Sequence, residues 1–160
     1  MSGDYFLKID GIKGESKDDK HPDEIEIDSF SIGVTNAGAM SAGGGGGAGK
    51  ASFSDFHFSK TVDKSSPELM LACANGKHFA KAVVVLRKSG EDKLEYNTVT
   101  MSDVVVSSYQ SSGHGGNGVL PTDSVSLNYA KIEYAYIEQD NKGKAKGTVT
   151  TSWNVKSNTK

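Results

Sequence analysis

Hydrophobic and polar positions alternate along most of this chain, and in places the alternation changes phase. In the segment DFHFSKTV, Phe56, Phe58, Lys60 and Val62 share one parity, while Asp55, His57, Ser59 and Thr61 take the other. That is the pattern of a half-buried strand. In EIEIDSFSIG, Ile25 and Ile27 lie on one parity and Phe30 and Ile32 on the opposite one. An apolar face that changes sides calls for a bulge or bend near Asp28 and Ser29. Past that point Ser29 and Ser31 form a small polar face. The change recurs in DSVSLNYAKIEYAY, where Val125, Leu127 and Tyr129 give way to Ile132, Tyr134 and Tyr136. About 15 extended residues would span about 50 Å, so this strand must bend and serve two surfaces.

Further strands are predicted at Tyr5 to Ile9, Ala80 to Lys88, Lys93 to Thr98 and Met101 to Tyr109. A last one covers Thr148 to Val155, with Val149, Thr151, Trp153 and Val155 on one face. Turns fall at Ser89-Gly90 and at Asn141 to Gly143. Glu15 to Glu24 reads as a charged loop, with Pro22 disfavouring helix at His21. One helix interrupts the strands. Ser66 offers an N-cap hydroxyl, Pro67 fits the first helical position, Glu68 puts a carboxylate in the first turn, and Gly76 supplies the left-handed stop. Leu69, Met70, Cys73 and Ala74 gather on the side expected to seat the helix. Leu71 lies off that stripe and is a candidate for cover by a neighbouring subunit. The fold class is mainly β and antiparallel, a barrel or a sandwich.

Charge and composition narrow the function. Eighteen basic and twenty acidic residues give a net charge of −2, which offers no electrostatic reason to bind nucleic acid. MSGDYFLKIDG places Asp4 and Lys8 around a very short apolar run, unlike a secretory signal. No apolar stretch approaches bilayer length, so no membrane insertion is expected. The expectation is a chain folded in the cytosol that leaves, if it does, without a cleaved signal. Cys73 is the only cysteine and reads as a small buried hydrophobe within the helix.

Chemical motifs are weak. Gly44 to Lys50 matches G-x-x-x-x-G-K, but Ala51 follows where a P-loop needs Ser or Thr, and the next residues alternate as a strand does. His21, His57, His78 and His114 have no metal-ligand spacing. No G-x-S-x-G elbow presents a nucleophile, and Asp18, Asp19, Asp23, Glu24 and Glu26 lack calcium-loop spacing, reading instead as a solvated face. No catalytic, cofactor or metal site is expected. One rival reading is a β-sandwich module for carbohydrate or another ligand, with Trp153 and the six tyrosines stacking on sugars. The other is a hydrolase without a recognisable motif.

Four segments together carry a stronger signal. KGESKDDKHPDEIEIDSFSIG (13–33), SDFHFSKTVDKSSPELMLACANGKHFAKAVVVLRK (54–88), DSVSLNYAKIEYAY (123–136) and WNVKSN (153–158) occur in this order. From Phe6 to Asn158 the chain resembles the haemolysin-coregulated protein (Hcp) family, the tube-forming subunits of the bacterial type VI secretion machine. The resemblance implies a small antiparallel β-barrel of two sheets with one short helix on its flank, spanning 1–160 as a single domain with no effector extension. It implies six copies closing into a ring, rings stacking into a tube inside a contractile sheath below a spike protein, and effector proteins held in the channel. The subunit would be structural and not an enzyme, without a cofactor, cytoplasmic before firing and then secreted to the medium or a target cell. The Gly-rich loop of Ala42, Gly43, Gly44, Gly45, Gly46, Gly47, Ala48, Gly49 and Lys50 would reach towards the next ring, and is expected to be mobile until stacking orders it. Ser29 and Ser31 would line the channel, with Ser31 the better candidate for touching effectors. Leu71 would lie at the ring interface.

Overall fold

The computed structural model describes residues 3–38, 50–89 and 93–160. In chain order they form β1 (Gly3–Ile9), β2 (Ile25–Ile27), β3 (Ser29–Ser31), β4 (Val34–Asn36), β5 (Ala51–Phe53) and β6 (Phe56–Thr61). The helix α1 (Ser65–Asn75) follows, and then β7 (His78–Lys88), β8 (Glu95–Ser112), β9 (Thr122–Gln139) and β10 (Ala145–Asn154). The large sheet runs β2-β1-β7-β8-β9-β6-β3, with β10 also paired to β9, and β4 and β5 form a second sheet. Among the described residues these strands pair antiparallel, with register shifts in the β9–β10, β7–β8 and β8–β9 ladders.

The two ends of the large sheet are one ribbon. β2 pairs β1, with Ile27 opposite Tyr5, and β3 pairs β6, with Ser29 opposite Ser59. Only Asp28 separates them, and its amide donates to the Ser59 carbonyl at 2.8 Å. The sheet therefore curls into a barrel that closes where this ribbon changes partner. The expected inversion occurs at the same point: Ile25 and Ile27 are buried, Asp28 and Ser29 are both exposed, and Phe30 turns inward.

A similar inversion crosses three neighbouring strands in one line. β7 buries Phe79 and then Ala82, β8 buries Met101 and then Val104, and β9 buries Tyr129 and then Ile132. Lys81, Ser102 and Lys131 sit side by side across this crease. Two successive residues facing away from the core bend a strand as a bulge does. Asp103 makes the bend on β8 with φ 53°, a left-handed conformation that Asp tolerates better than most residues. The Ala130 carbonyl, beside the crease on β9, accepts the Val155 and Lys156 amides at 2.8 and 3.3 Å. Inside lie Leu7, Ile25, Phe56, Phe58, Leu69, Val84, Val99, Met101, Val125 and Leu127, all fully buried.

Several sequence expectations need correction. β8 is continuous where two strands were expected at Lys93 to Thr98 and Met101 to Tyr109, because Val99 and Thr100 keep their register with β9. β10 starts earlier, and Val149 on its expected apolar face is 71 % exposed. As an edge strand running past the barrel, β10 has little core to cover. The helix starts at Ser65, not after Ser66. The Asp63 carboxylate accepts from the Ser65 amide at 2.8 Å, so Pro67 is the third helical residue. The packed stripe is Ser65, Ser66, Leu69 and Ala72, with Cys73 half-buried against the core. Met70 and Ala74 face out with Leu71, because polar anchors at the first turn set the helix rotation. Gly76, φ 69°, ends the helix as expected.

Those anchors are ionic. Lys60 and Asp123 side chains are both wholly buried, with Lys60 Nζ 2.9 Å from Asp123 Oδ2. Lys60 Nζ also donates to Asp63 at 2.8 Å and to the Ser66 hydroxyl at 3.0 Å. Asp123 accepts from Ser66 at 2.5 Å and from Tyr109 at 2.9 Å. Burial pushes the Asp123 carboxyl up, but the hydrogen bonds from Ser66, Lys60 and Tyr109 outweigh it and hold it below the usual 3.8.

Removing one partner strands the other charge in the core, so Lys60→Met is expected to cost about 3–5 kcal/mol in urea unfolding. Lys60→Met combined with Asp123→Leu should cost less than Lys60→Met alone. The Asp123 contribution is complete above the ordinary carboxyl pKa of 3.8 and is lost as pH falls through the lower folded value. Urea midpoints measured along an acid series should therefore fall more steeply for the wild type than for the double variant.

Candidate functional site

The polar parity of β3, β6, β9 and β8 forms one continuous outer face. Register sets Ser29, Ser59, Ser124 and Gln110 in one row and Ser31, His57, Ser126 and Ser108 in the next. Thr61, Thr122 and Ser112 make a third. The opposite parity of the same strands carries Phe30, Phe56, Phe58, Val125 and Leu127 on the core side. Alternation on each strand and a matched register thus separate an aromatic interior from an exterior of short hydroxyl groups.

Hydrogen bonds tie that face together. The Ser29 and Ser59 hydroxyls are 2.5 Å apart. His57 bridges two serines of β9, with Nδ1 2.9 Å from Ser126 Oγ and Nε2 3.0 Å from Ser124 Oγ. The Asp55 carboxylate accepts from Ser107 at 2.6 Å and from Asn128 at 2.9 Å. Ser31 is exposed. A triad needs a carboxylate on one ring nitrogen of the base; here a second serine occupies that place. The face can offer and accept hydrogen bonds over a broad area, but it presents little apolar surface for adhesion.

The remaining histidines have other settings. His21 is buried, 2.9 Å from Glu24 and 2.6 Å from Glu95 through its two ring nitrogens, and stacked on Phe6 at 4.4 Å. Arg87 lies over the same Phe6 ring and donates to Asp18 at 2.9 and 2.7 Å and to Asp4 at 3.0 Å. The Arg87 hydrogen bond holds the Asp18 carboxyl well below the usual carboxylate range. Asp18 through Arg87 and His21 through Glu95 thus tie the 10–24 loop to the barrel, whereas Asp19 and Asp23 in the loop and Glu26 on β2 are exposed. Among the described residues no group of three His, Cys, Asp or Glu side chains could hold a metal ion. No helix among them is long and apolar enough to cross a membrane.

A second feature is an apolar groove of about 450 Å³ between the β4–β5 hairpin and the β9–β10 ribbon. Ile32, Val34, Phe53, Ile132, Tyr134 and Trp153 line it. Tyr129 holds the hairpin in place by donating to the Ser54 carbonyl at 2.8 Å. Burial pushes its hydroxyl up to about 12, so it remains a donor. Trp153 is half-buried against the core, with its Nε1 sealed from solvent. Leu71 is 59 % exposed on the helix, beside Met70 at 56 %. Residues 42–49 of the Gly-rich loop, and the expectation that they are mobile, lie outside the described residues; Lys50 is described and exposed.

The family model described as type VI secretion system effector, Hcp, matches residues 6–136. The chain belongs to the Hcp family. It is similar to protein hcp1 of Pseudomonas aeruginosa, 43 % identical over 160 residues that cover 99 % of this chain and 98 % of that one. Among solved structures it is similar to a type six secretion system protein, with TM-score 0.92, 32 % identity and 98 % of both chains covered. It is also similar to Hcp1 from Salmonella typhimurium, with TM-score 0.79, 33 % identity, and 98 % of this chain and 97 % of that one covered. The family is a structural component of type VI secretion, and the mainly β architecture with one flanking helix is the one the resemblance implied.

Sequence reasoning missed His57 as part of the serine face, and it missed the Lys60–Asp123 pair. The parity rule contained both signals. His57 shares parity with Asp55, Ser59 and Thr61, and Lys60 shares parity with Phe56 and Phe58. A lysine on the apolar side of a strand marks a buried partner elsewhere in the chain.

Proposed function

We propose that six copies of this chain close into a ring, that rings stack into the type VI secretion tube, and that the serine face lines the channel and touches effector proteins. Membership of the Hcp family over residues 6–136 carries this reading. The subunit is assembled in the cytoplasm, engages sheath and spike, and is delivered to the medium or a target cell when the machine fires. A closed ring uses one heterologous contact repeated around the axis, and such a contact needs two different complementary patches. Leu71 with Met70 on α1, and the groove around Phe53 and Trp153, are two exposed apolar patches at different places on the subunit. The 42–50 loop makes the ring-to-ring contact, and the whole chain serves as one tube domain.

Analytical ultracentrifugation at micromolar concentration should give about six times the monomer mass, and a clean monomer at high concentration overturns the ring. Leu71→Glu should break the ring into smaller species, while its monomer keeps stability within about 0.5 kcal/mol because the site is exposed. A variant that still forms rings takes Leu71 out of the interface.

Shortening the 42–50 loop should leave single rings intact and abolish tube growth, seen by electron microscopy, together with secretion. Unfolding of the shortened chain would place the loop in the core instead. Ser31→Gln should fill space at the wall and lower effector co-purification without changing ring mass. Equal retention by wild type and variant removes Ser31 from the contact.

A further inference from the structure

The serine face holds one basic ionisable group, and its setting suits it to either charge state. His57 projects from β6 between Ser31 on β3 and Ser126 on β9 in register, with Ser124 also within hydrogen-bond distance. Neutral imidazole offers one donor and one acceptor, and the protonated ring offers two donors; a hydroxyl can serve as partner to either. Both ring nitrogens lie against serine hydroxyls, so protonation costs His57 no hydrogen bond.

Charges around His57 are few. Ser31 on β3 and Ser126 on β9 stand opposite it, with Ser29, Ser124 and Asn128 diagonal. On β8, beyond β9, the same rows carry Ser108 and Gln110. Asp55, two residues back and just before β6, is the carboxylate beside this face, and it is already engaged by Ser107 and Asn128. Asp28, before β3, lines a cavity with Glu15, Glu26 and Asp63 on the side of Thr61 and Val62. A positive charge on His57 is therefore not neutralised by an ion pair in the subunit. It stands on a surface that is otherwise short and polar, with the hydrogen-bonded Asp55 carboxylate at its margin.

We propose that the serine face selects acidic polypeptide segments through protonated His57. The inference rests on the reading of this face as the channel wall, in which the six His57 side chains of a ring encircle the cargo. Carboxylate-rich segments gain a charge-assisted hydrogen bond at each engaged His57, and basic segments are repelled by the same groups. Each exposed pair is weak, but several act together on one segment, so the effect multiplies. Histidine changes charge within the physiological range, so retention of acidic cargo rises on acidification.

The probe is a rhodamine-labelled hexa-aspartate peptide, with hexalysine as control, titrated into assembled rings and read by fluorescence polarisation. Wild-type rings should bind hexa-aspartate about tenfold more tightly at about pH 5.5 than at about pH 8. His57→Gln should bind weakly at both, and His57→Lys should bind tightly at both. A pH-independent wild type overturns the proposal, as does an equal rise in His57→Gln, which would assign the effect to His78 or His114. The same peptide coupled to dextran too wide to enter a ring separates the two readings. Exclusion of the conjugate supports both. Binding of the conjugate through His57 places the face on the outside, which removes the channel wall and leaves the selectivity of His57 standing.

Discussion

A sheet that curls until its ends meet must turn side chains over wherever it bends, and this constraint organises the subunit. The turnover occurs along the line of Lys81, Ser102 and Lys131, and again where the ribbon 25–31 changes partner at Asp28. On one side of the line β9 presents Val125, Leu127 and Tyr129 to the core; past it, Ile132 is still buried while Tyr134 and Tyr136 emerge. The core-facing parity of the barrel thus runs out beyond its end and becomes one wall of the apolar groove. The Ala130 carbonyl takes the amides of Val155 and Lys156, so the bend and the seating of the chain's last strand are one feature. Had β9 stayed flat, its second half would have carried its tyrosines away from β4 and β5, and the groove would have no floor.

The other end of the barrel is held by charge. Lys60 and Asp123 face each other across β6 and β9 in register, wholly out of water. Such a pair adds little net stability, because desolvation offsets attraction. It does penalise alternatives. A slip of one residue between β6 and β9 would leave both charges unpaired and turn Phe56 and Phe58 away from Val125 and Leu127. The same slip would scatter the serine rows, since their order depends on the same register. Ser66 and Asp63 extend the cluster to α1, which fixes the rotation of the helix and hence the exposure of Met70 and Leu71. Packing of an almost wholly apolar helix could not have chosen that rotation alone.

Alternation made much of this legible. The inversions at Asp28 and after Tyr129 were visible as phase changes, and Gly76 marked the helix end without ambiguity. The helix start was not legible, because SSP offers two serines before a proline and the carboxylate that takes the Ser65 amide, Asp63, lies upstream in the preceding loop. The stripe of Leu69, Met70, Cys73 and Ala74 failed for a related reason: hydrophobicity around this helix is nearly uniform, so small polar Ser65 and Ser66 decide which side is buried. Continuity of β8 at Val99 and Thr100 was hidden because it depends on the register with β7 and β9, which keeps both residues in the ladder. The outer face was half legible. Ser29 and Ser31 could be picked from their own strand, but their company with Ser59, His57, Ser124 and Ser126 exists only once two registers are known.

The chemistry of that company bears on how a tube wall could hold cargo and still release it. An apolar wall would gain affinity in proportion to area, and a densely charged wall would bind any opposite surface and slow its exit. Short hydroxyls do neither. Their hydrogen bonds exchange readily with water, so the net gain at each is small, and selectivity must come from the few positions that differ from serine. On this face the basic position is His57, set centrally between β3 and β9. A surface made weak nearly everywhere lets one ionisable group per subunit dominate discrimination, because a small contribution is decisive only where the others nearly cancel. The same weakness keeps the face from competing with Leu71 and the groove, the proposed assembly surfaces. In the proposed tube, subunit contact and cargo contact then call on different chemistries within one small barrel.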